Sequence, residues 1–112
     1  MILDDIVAKK EVRLHERMER IPLLQLQRQA GDRPRMPLDF AGSLKLAEKM
    51  SIIAEVKKAS PSKGVIRSVF NPTDIANSYL RSDVQAMSIL TEEDYFQGND
   101  AYLQSIRAIS PI

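Results

Sequence analysis

The sequence predicts an α/β fold in which parallel strands alternate with helices. Two short apolar runs, residues 52–57 and 84–90, have the length of strands, and the first is rich in β-branched side chains. Each is followed by a polar loop and then by a segment of helical periodicity. A β, α, β, α order of this kind implies parallel strands joined by right-handed crossovers, with helices covering the sheet. The N-terminal third carries a different, charge-dense pattern. We therefore divide the chain into a helical extension and linker over residues 1–40 and an α/β portion over residues 41–112.

The extension opens with an amphipathic helix over the first 20 residues. Leu3, Val7, Leu14, Met18 and Ile21 form one stripe at helical spacing, interrupted at Lys10. Asp4 and Asp5 near its start and Arg17 and Arg20 near its end suit the helix dipole. Pro22 ends or kinks it. A second short helix fits residues 21–30 through Leu23, Leu24 and Leu26. Gly31-Asp32-Arg33-Pro34-Arg35-Met36-Pro37 is turn chemistry and forms the linker. A short helical stretch over residues 43–50 leads into the first strand. After that strand, Asn71-Pro72 is an N-cap followed by proline at the first helical position, opening a helix through residues 75–80. The second strand is followed by an acidic loop, residues 91–98, and a helix over residues 100–109 built on Leu103, Ile106 and Ile109. Alternation then calls for a third strand at Ser110-Pro111-Ile112, so the sequence is expected to be the first portion of a longer fold.

Composition narrows the function. The 112 residues carry 16 Lys+Arg against 15 Asp+Glu, a net charge of +1, with one His, no Cys and no Trp. So balanced a charge supplies no field for nucleic acid or an anionic membrane, and residues 1–35, with 8 basic and 6 acidic side chains, read as a solvated helix face. No apolar run approaches the roughly 20 residues of a spanning helix. Neither nucleic acid nor membrane is an expected partner. Without Cys there is no disulfide framework or thiolate metal site, and a single His15 does not make a metal centre, so no metal is expected. Cytoplasm is the expected compartment.

The chemistry-bearing residues gather at strand ends. Alternation places Ile52, Ala54 and Val56 on one face of the first strand and Ile53, Glu55 and Lys57 on the other. The second face turns ionic at its C-terminal end, where parallel α/β folds hold ligands. A carboxylate and an ammonium two residues apart serve there as proton carrier and anion holder. A solvated ion pair explains the same two residues equally well. The following Ser60-Pro61-Ser62-Lys63-Gly64 offers hydroxyls, backbone N–H groups and a cation for a phosphate, although it is no P-loop and a plain turn would use the same letters. Tyr95 and Phe96 close the second loop, where packing is the ordinary role of aromatic side chains.

Two stretches carry a specific resemblance. Ile53-Ala54-Glu55-Val56-Lys57-Lys58-Ala59-Ser60-Pro61-Ser62-Lys63-Gly64-Val65-Ile66-Arg67 and Ser88-Ile89-Leu90-Thr91-Glu92-Glu93-Asp94-Tyr95-Phe96-Gln97-Gly98 closely resemble indole-3-glycerol phosphate synthases, the indole-forming enzymes of tryptophan biosynthesis. The resemblance implies a (β/α)8 TIM barrel, here its N-terminal helical segment and first two βα units, truncated at the start of strand three. A complete barrel of this kind takes about 250 residues. It further implies a cofactor-free ring closure of carboxyphenylamino-deoxyribulose phosphate with loss of carbon dioxide and water. Carried over by motif, Glu55 is the first-strand carboxylate that orders the polar site, and Lys57 contacts substrate and assists proton transfer. Ser60 joins the phosphate site, and Phe96 lines the apolar slot for the anthranilate ring.

The family's general-acid lysine on strand three, its glutamate on strand four and its remaining phosphate-binding backbone lie on strands beyond these 112 residues. The expected partner is thus a small phosphorylated substrate, with little catalysis from the 112 residues alone. Ile53, Ala86 and Leu90, lacking facing strands, are expected to drive self-association. The parent protein fits a monomer or a fusion to a neighbouring pathway enzyme. The alternative is a non-catalytic part-barrel that self-associates or binds a phosphate compound. One departure from the family stands out: Arg81-Ser82-Asp83-Val84-Gln85 occupies a turn where small residues, often Gly and Ala, are usual, which removes the easy helix C-cap.

Overall fold

The computed structural model describes every residue except Ala47 and Lys49. It divides into two compact units, Met1–Pro37 and Leu38–Ile112. The first unit consists of α1 (Ile2–Arg20) and α2 (Leu23–Gly31). The helix α1 runs unbroken through Lys10, with Asp4 and Asp5 in its first turn and Arg17 and Arg20 in its last. Pro22 separates the helices by serving as the N-cap residue of α2. The ring of His15 hydrogen-bonds through Nδ1 to the Glu11 carbonyl at 2.8 Å, one turn back. A carbonyl only accepts, so Nδ1 carries the proton.

The second unit is the α/β portion, in the order α3 (Phe40–Lys45), β1 (Ile53–Val56), β2 (Ala59–Ser60), β3 (Gly64–Val65), α4 (Pro72–Arg81), β4 (Ala86–Ile89) and α5 (Asp100–Ile109). The helix expected over residues 43–50 begins earlier, at Phe40, because the Asp39 carboxylate caps it by accepting from the Gly42 N–H at 2.9 Å. The part of that expectation at residues 47 and 49 lies outside the described residues. The two expected strands are present as β1 and β4, paired in parallel with Ile53 opposite Ala86 and Val56 opposite Ile89. No strand forms over residues 110–112, although Ser110 has extended dihedrals, φ −106° and ψ 133°.

Parallel register puts in-register residues on one face. Ala54, Val56, Met87 and Ile89 therefore share a face, and α4 and α5 cover it. Val56, Ala76 and Ile106 are almost fully buried, with Phe70, Ile75, Tyr79, Met87 and Ile89 packed around them. Burial of Val56 and Ile106 contributes about 1.5–3 kcal/mol each. Asn71 caps α4 by accepting from the Thr73 and Asp74 N–H groups, and Asn99 caps α5 by accepting from Ala101 N–H at 2.8 Å. The rings of Phe70 and Tyr102 meet edge to face at 5.3 Å, tying the entry of α4 to α5.

Three expectations are corrected here. Ile52 precedes β1 and is 51% exposed, so it does not join the buried face of Ala54 and Val56. On the opposite face Ala86 is only 5% exposed and Leu90 half-buried, leaving Ile53 as the open apolar residue of the three. Packing of α3 against β4 is a contact that the strand pattern alone does not show. The loop after β1 is also more ordered than a plain turn, since β2 and β3 pair antiparallel as a small hairpin, with Gly64 at φ +62° closing it.

The atypical turn before β4 has its own solution. Asp83 takes the left-handed position after α4, at φ +55°, that glycine usually fills. The Gln85 amide then spans the sheet end, donating to the Asp83 carbonyl at 2.9 Å and accepting from Ile52 N–H at 2.8 Å. Among the described residues no helix is long and apolar enough to cross a membrane.

Candidate active site

The site begins with alternation on β1. Val56 points into the helix layer, which forces Glu55 to the open face, and Lys57 follows at the strand's C-terminal end. Their side chains meet, Lys57 Nζ to Glu55 Oε1 at 2.6 Å, while 31% and 43% exposed respectively. An ion pair that wet adds about 0–1 kcal/mol to stability. Both groups are accessible to a ligand, and each helps position the other.

A third residue arrives from the other strand. The loop after β4 brings the Phe96 ring to 5.9 Å from Lys57 Nζ, measured to the ring centroid, which is within cation–π range. The half-buried Phe96 thus sets an apolar surface beside the charged pair. Ser88, in register with Glu55, is the neighbouring polar residue on β4. This combination of cation, carboxylate and aromatic face suits a ligand that is anionic and aromatic.

Ser60 stands differently. It lies on β2 of the hairpin, and its Oγ accepts from the Lys63 N–H at 3.3 Å, not from any of the three residues above. The hydroxyl still has its own proton to donate to an anion. The structure therefore brings Glu55, Lys57 and Phe96 together and leaves Ser60 on the neighbouring hairpin.

Two contributors escaped sequence reasoning. The Tyr79 hydroxyl donates to the Glu55 carbonyl oxygen at 2.7 Å. The carbonyls of Ile52 and Val56 bond toward β4, so that of Glu55 points to the outer edge of β1. Tyr79 satisfies it there and fixes the backbone that carries the carboxylate. No local pattern links positions 24 residues apart. The second is Glu92, whose carboxylate accepts from Asp94 N–H at 3.0 Å, Tyr95 N–H at 2.8 Å and Phe96 N–H at 3.1 Å. It looked like one member of an acidic run. The detectable signal was a carboxylate followed at short range by residues of a tight loop, the pattern of a side chain capping its own backbone.

The chain is thus an α/β protein with a parallel strand pair, and its ion pair and aromatic ring lie at the C-terminal strand ends, where folds of this class generally hold ligands. The family model for indole-3-glycerol phosphate synthase matches residues 3–112. Named relatives agree: the indole-3-glycerol phosphate synthase of Acetivibrio thermocellus is 50% identical over all of this chain. Those of Dehalococcoides mccartyi strain CBDB1 and Alkaliphilus metalliredigens are 49% and 43% identical over 96% and 100% of it. The chain belongs to the indole-3-glycerol phosphate synthase family. It spans 41–44% of the length of these relatives.

Proposed function

We propose that this chain is the N-terminal portion of an indole-3-glycerol phosphate synthase, contributing the helical extension and first two βα units of a (β/α)8 barrel. The observation that carries the proposal is the Glu55–Lys57 contact at the end of β1 with Phe96 beside it, in a chain of this family. The reaction joins an aromatic carbon to a ketone carbon. The ring carboxylate then leaves as carbon dioxide, and the new hydroxyl leaves as water. Such a sequence needs a cation against the carboxylate, a proton for the carbonyl and departing hydroxyl oxygens, and a slot for the ring.

In this reading Lys57 supplies the cation and moves the proton, while Glu55 orients the Lys57 side chain through their 2.6 Å contact. Phe96 packs on the anthranilate ring. Ser60 donates its hydroxyl to the phosphate, and Lys63 lies in the same hairpin. No step calls on a cofactor or metal. The reaction belongs to tryptophan biosynthesis in the cytoplasm, and its substrate is a small phosphorylated anthranilate derivative. The 112 residues alone hold part of the acid–base machinery, so we expect negligible turnover from them. The exposed Ile53 and the unpaired sheet edge favour self-association.

Fluorescence detection of indole-3-glycerol phosphate, formed by the complete reading frame and by the 112-residue polypeptide, tests this directly. Turnover by the former and none by the latter is expected. No turnover by the complete product would overturn the assignment in favour of a non-catalytic phosphate-binding part-barrel. Light scattering on the 112-residue polypeptide should show species larger than a monomer.

A further inference from the structure

We infer that Glu92 is a positioning residue for the aromatic half of the substrate, acting through Phe96; the inference rests on the assignment above. Three consecutive backbone N–H groups, those of Asp94, Tyr95 and Phe96, converge on the one Glu92 carboxylate, the latter two sharing Oε2 at 2.8 and 3.1 Å. The Glu92 main chain closes the same loop from the other side, its carbonyl accepting the Gly98 N–H at 2.7 Å. Charge-assisted bonds from backbone donors are about twice as strong as neutral ones. The segment that carries Phe96 is thereby anchored at both ends to a single residue.

The anchoring has one product at the site. Lys57 comes from β1 and Phe96 from the loop after β4, and their 5.9 Å approach depends on where the Phe96 backbone stands. Gln97, next in sequence, holds φ +50°, and an added Cβ on Gly98 would overlap the Leu90 carbonyl oxygen. The chain beyond Phe96 is therefore held at Gly98, and the Glu92 carboxylate holds the segment from Asp94 to Phe96 before it. Loss of the Glu92 carboxylate frees the Phe96 N–H and moves the ring, while the Glu55–Lys57 contact on β1 stays intact. Glu92 thus governs binding of the ring, while the Glu55–Lys57 contact does not depend on it.

The test is a double-mutant cycle in the complete protein, with Glu92→Ala, the isosteric Glu92→Gln, Phe96→Ala and the combined variants. Two readouts are used: steady-state ring closure, and binding of anthranilate followed by its own fluorescence. We expect Glu92→Ala to raise KM and weaken anthranilate binding about 10-fold, with kcat within about 2-fold. Glu92→Gln, which keeps one acceptor oxygen, should weaken both about 3-fold and remain folded by circular dichroism. In the Phe96→Ala background, removal of Glu92 should cost no further affinity, because the effect passes through the ring. Equal losses with and without the Phe96 ring would overturn the inference and make Glu92 a general loop support. A fall in kcat at unchanged KM would overturn it too. Should the wild-type protein bind anthranilate with this coupling yet form no product, the assignment falls and the positioning role stands.

Discussion

The loop after β1 and the loop after β4 leave the same end of one two-stranded sheet, and they are held by different means. The first folds back on itself. Its β2–β3 hairpin pairs Ala59 with Val65 and Ser60 with Gly64, and its return leg is held by the Ile66 and Arg67 N–H groups, which both donate to the Lys58 carbonyl at 2.8 and 3.2 Å. Residues 61–69 are all exposed. The second loop is largely half-buried and is organised around the Glu92 carboxylate and the close approach of Gly98 to the Leu90 carbonyl. Exposed backbone bonds exchange readily with water, so the first loop opens at low cost, while the second must lose several bonds at once. The loop assigned to the phosphate is thus the adaptable one, and the loop assigned to the aromatic ring is fixed in advance.

The strand residue between these loops gives the largest expected effect. Lys57→Met in the complete protein should lower kcat by about 10²–10⁴-fold, the range for loss of a positioned acid or base. Lys58→Met should cost far less, since alternation turns Lys58 away from the open face. Steady-state kinetics on the two variants checks this, and equal losses would mean that the face assignment of Glu55 and Lys57 is wrong. Next in size is Gly98→Ala. The added methyl meets the Leu90 and Thr91 backbone, which no rotamer change relieves, so we expect a destabilisation of about 3 kcal/mol in urea unfolding. Gly64→Ala in the first loop meets no atom within 4 Å and carries only the backbone cost of φ +62°, about 1 kcal/mol. Similar losses for the two glycines would erase the distinction between the loops.

Ser60→Ala probes the first loop by function. It removes one hydroxyl donor to a dianionic group, so KM should rise about 10-fold, or ~1.5 kcal/mol, with kcat little changed. The Lys63 N–H that Ser60 accepts is exposed and turns to water. Stability should therefore hold within about 0.5 kcal/mol. An unchanged KM would remove Ser60 from the phosphate site.

How much of this was legible in the sequence follows the range of each interaction. Alternation on residues 53–57 was enough to put Glu55 and Lys57 on one face, and Asn71-Pro72 announced the start of α4, because both signals are local. The hairpin after β1 was not legible, since two-residue strands such as Ala59–Ser60 have no period to read. The burial of Ala86 was not legible because it is set by tertiary packing around β4, where α3 from a distant segment also makes contact. Tyr79 shows the same limit, as its bond to the Glu55 carbonyl becomes visible only once α4 lies on β1. The turn at Asp83 was legible as a departure but not in its remedy, which needs the Gln85 amide to reach Ile52.

The smallest effect separates strain at the site from strain elsewhere. Asp83 and Gln97 are the non-glycine residues with left-handed backbones among the described residues, at φ +55° and +50°. An L-residue in this region costs about 1–2 kcal/mol, and Asp is among those that tolerate it because a short polar side chain bonds locally. Gln lacks that compensation. Replacement by glycine removes the strain but adds about 0.4–1 kcal/mol of unfolded-chain entropy. Gln97→Gly should consequently stabilise the complete protein by about 0.5 kcal/mol, and Asp83→Gly should stay near zero. Paired urea titrations resolve the difference through the shift in midpoint. A gain at Asp83 with none at Gln97 would place the strained backbone at the helix end before β4, and the second loop would then be held by Glu92 and Gly98 without opposition.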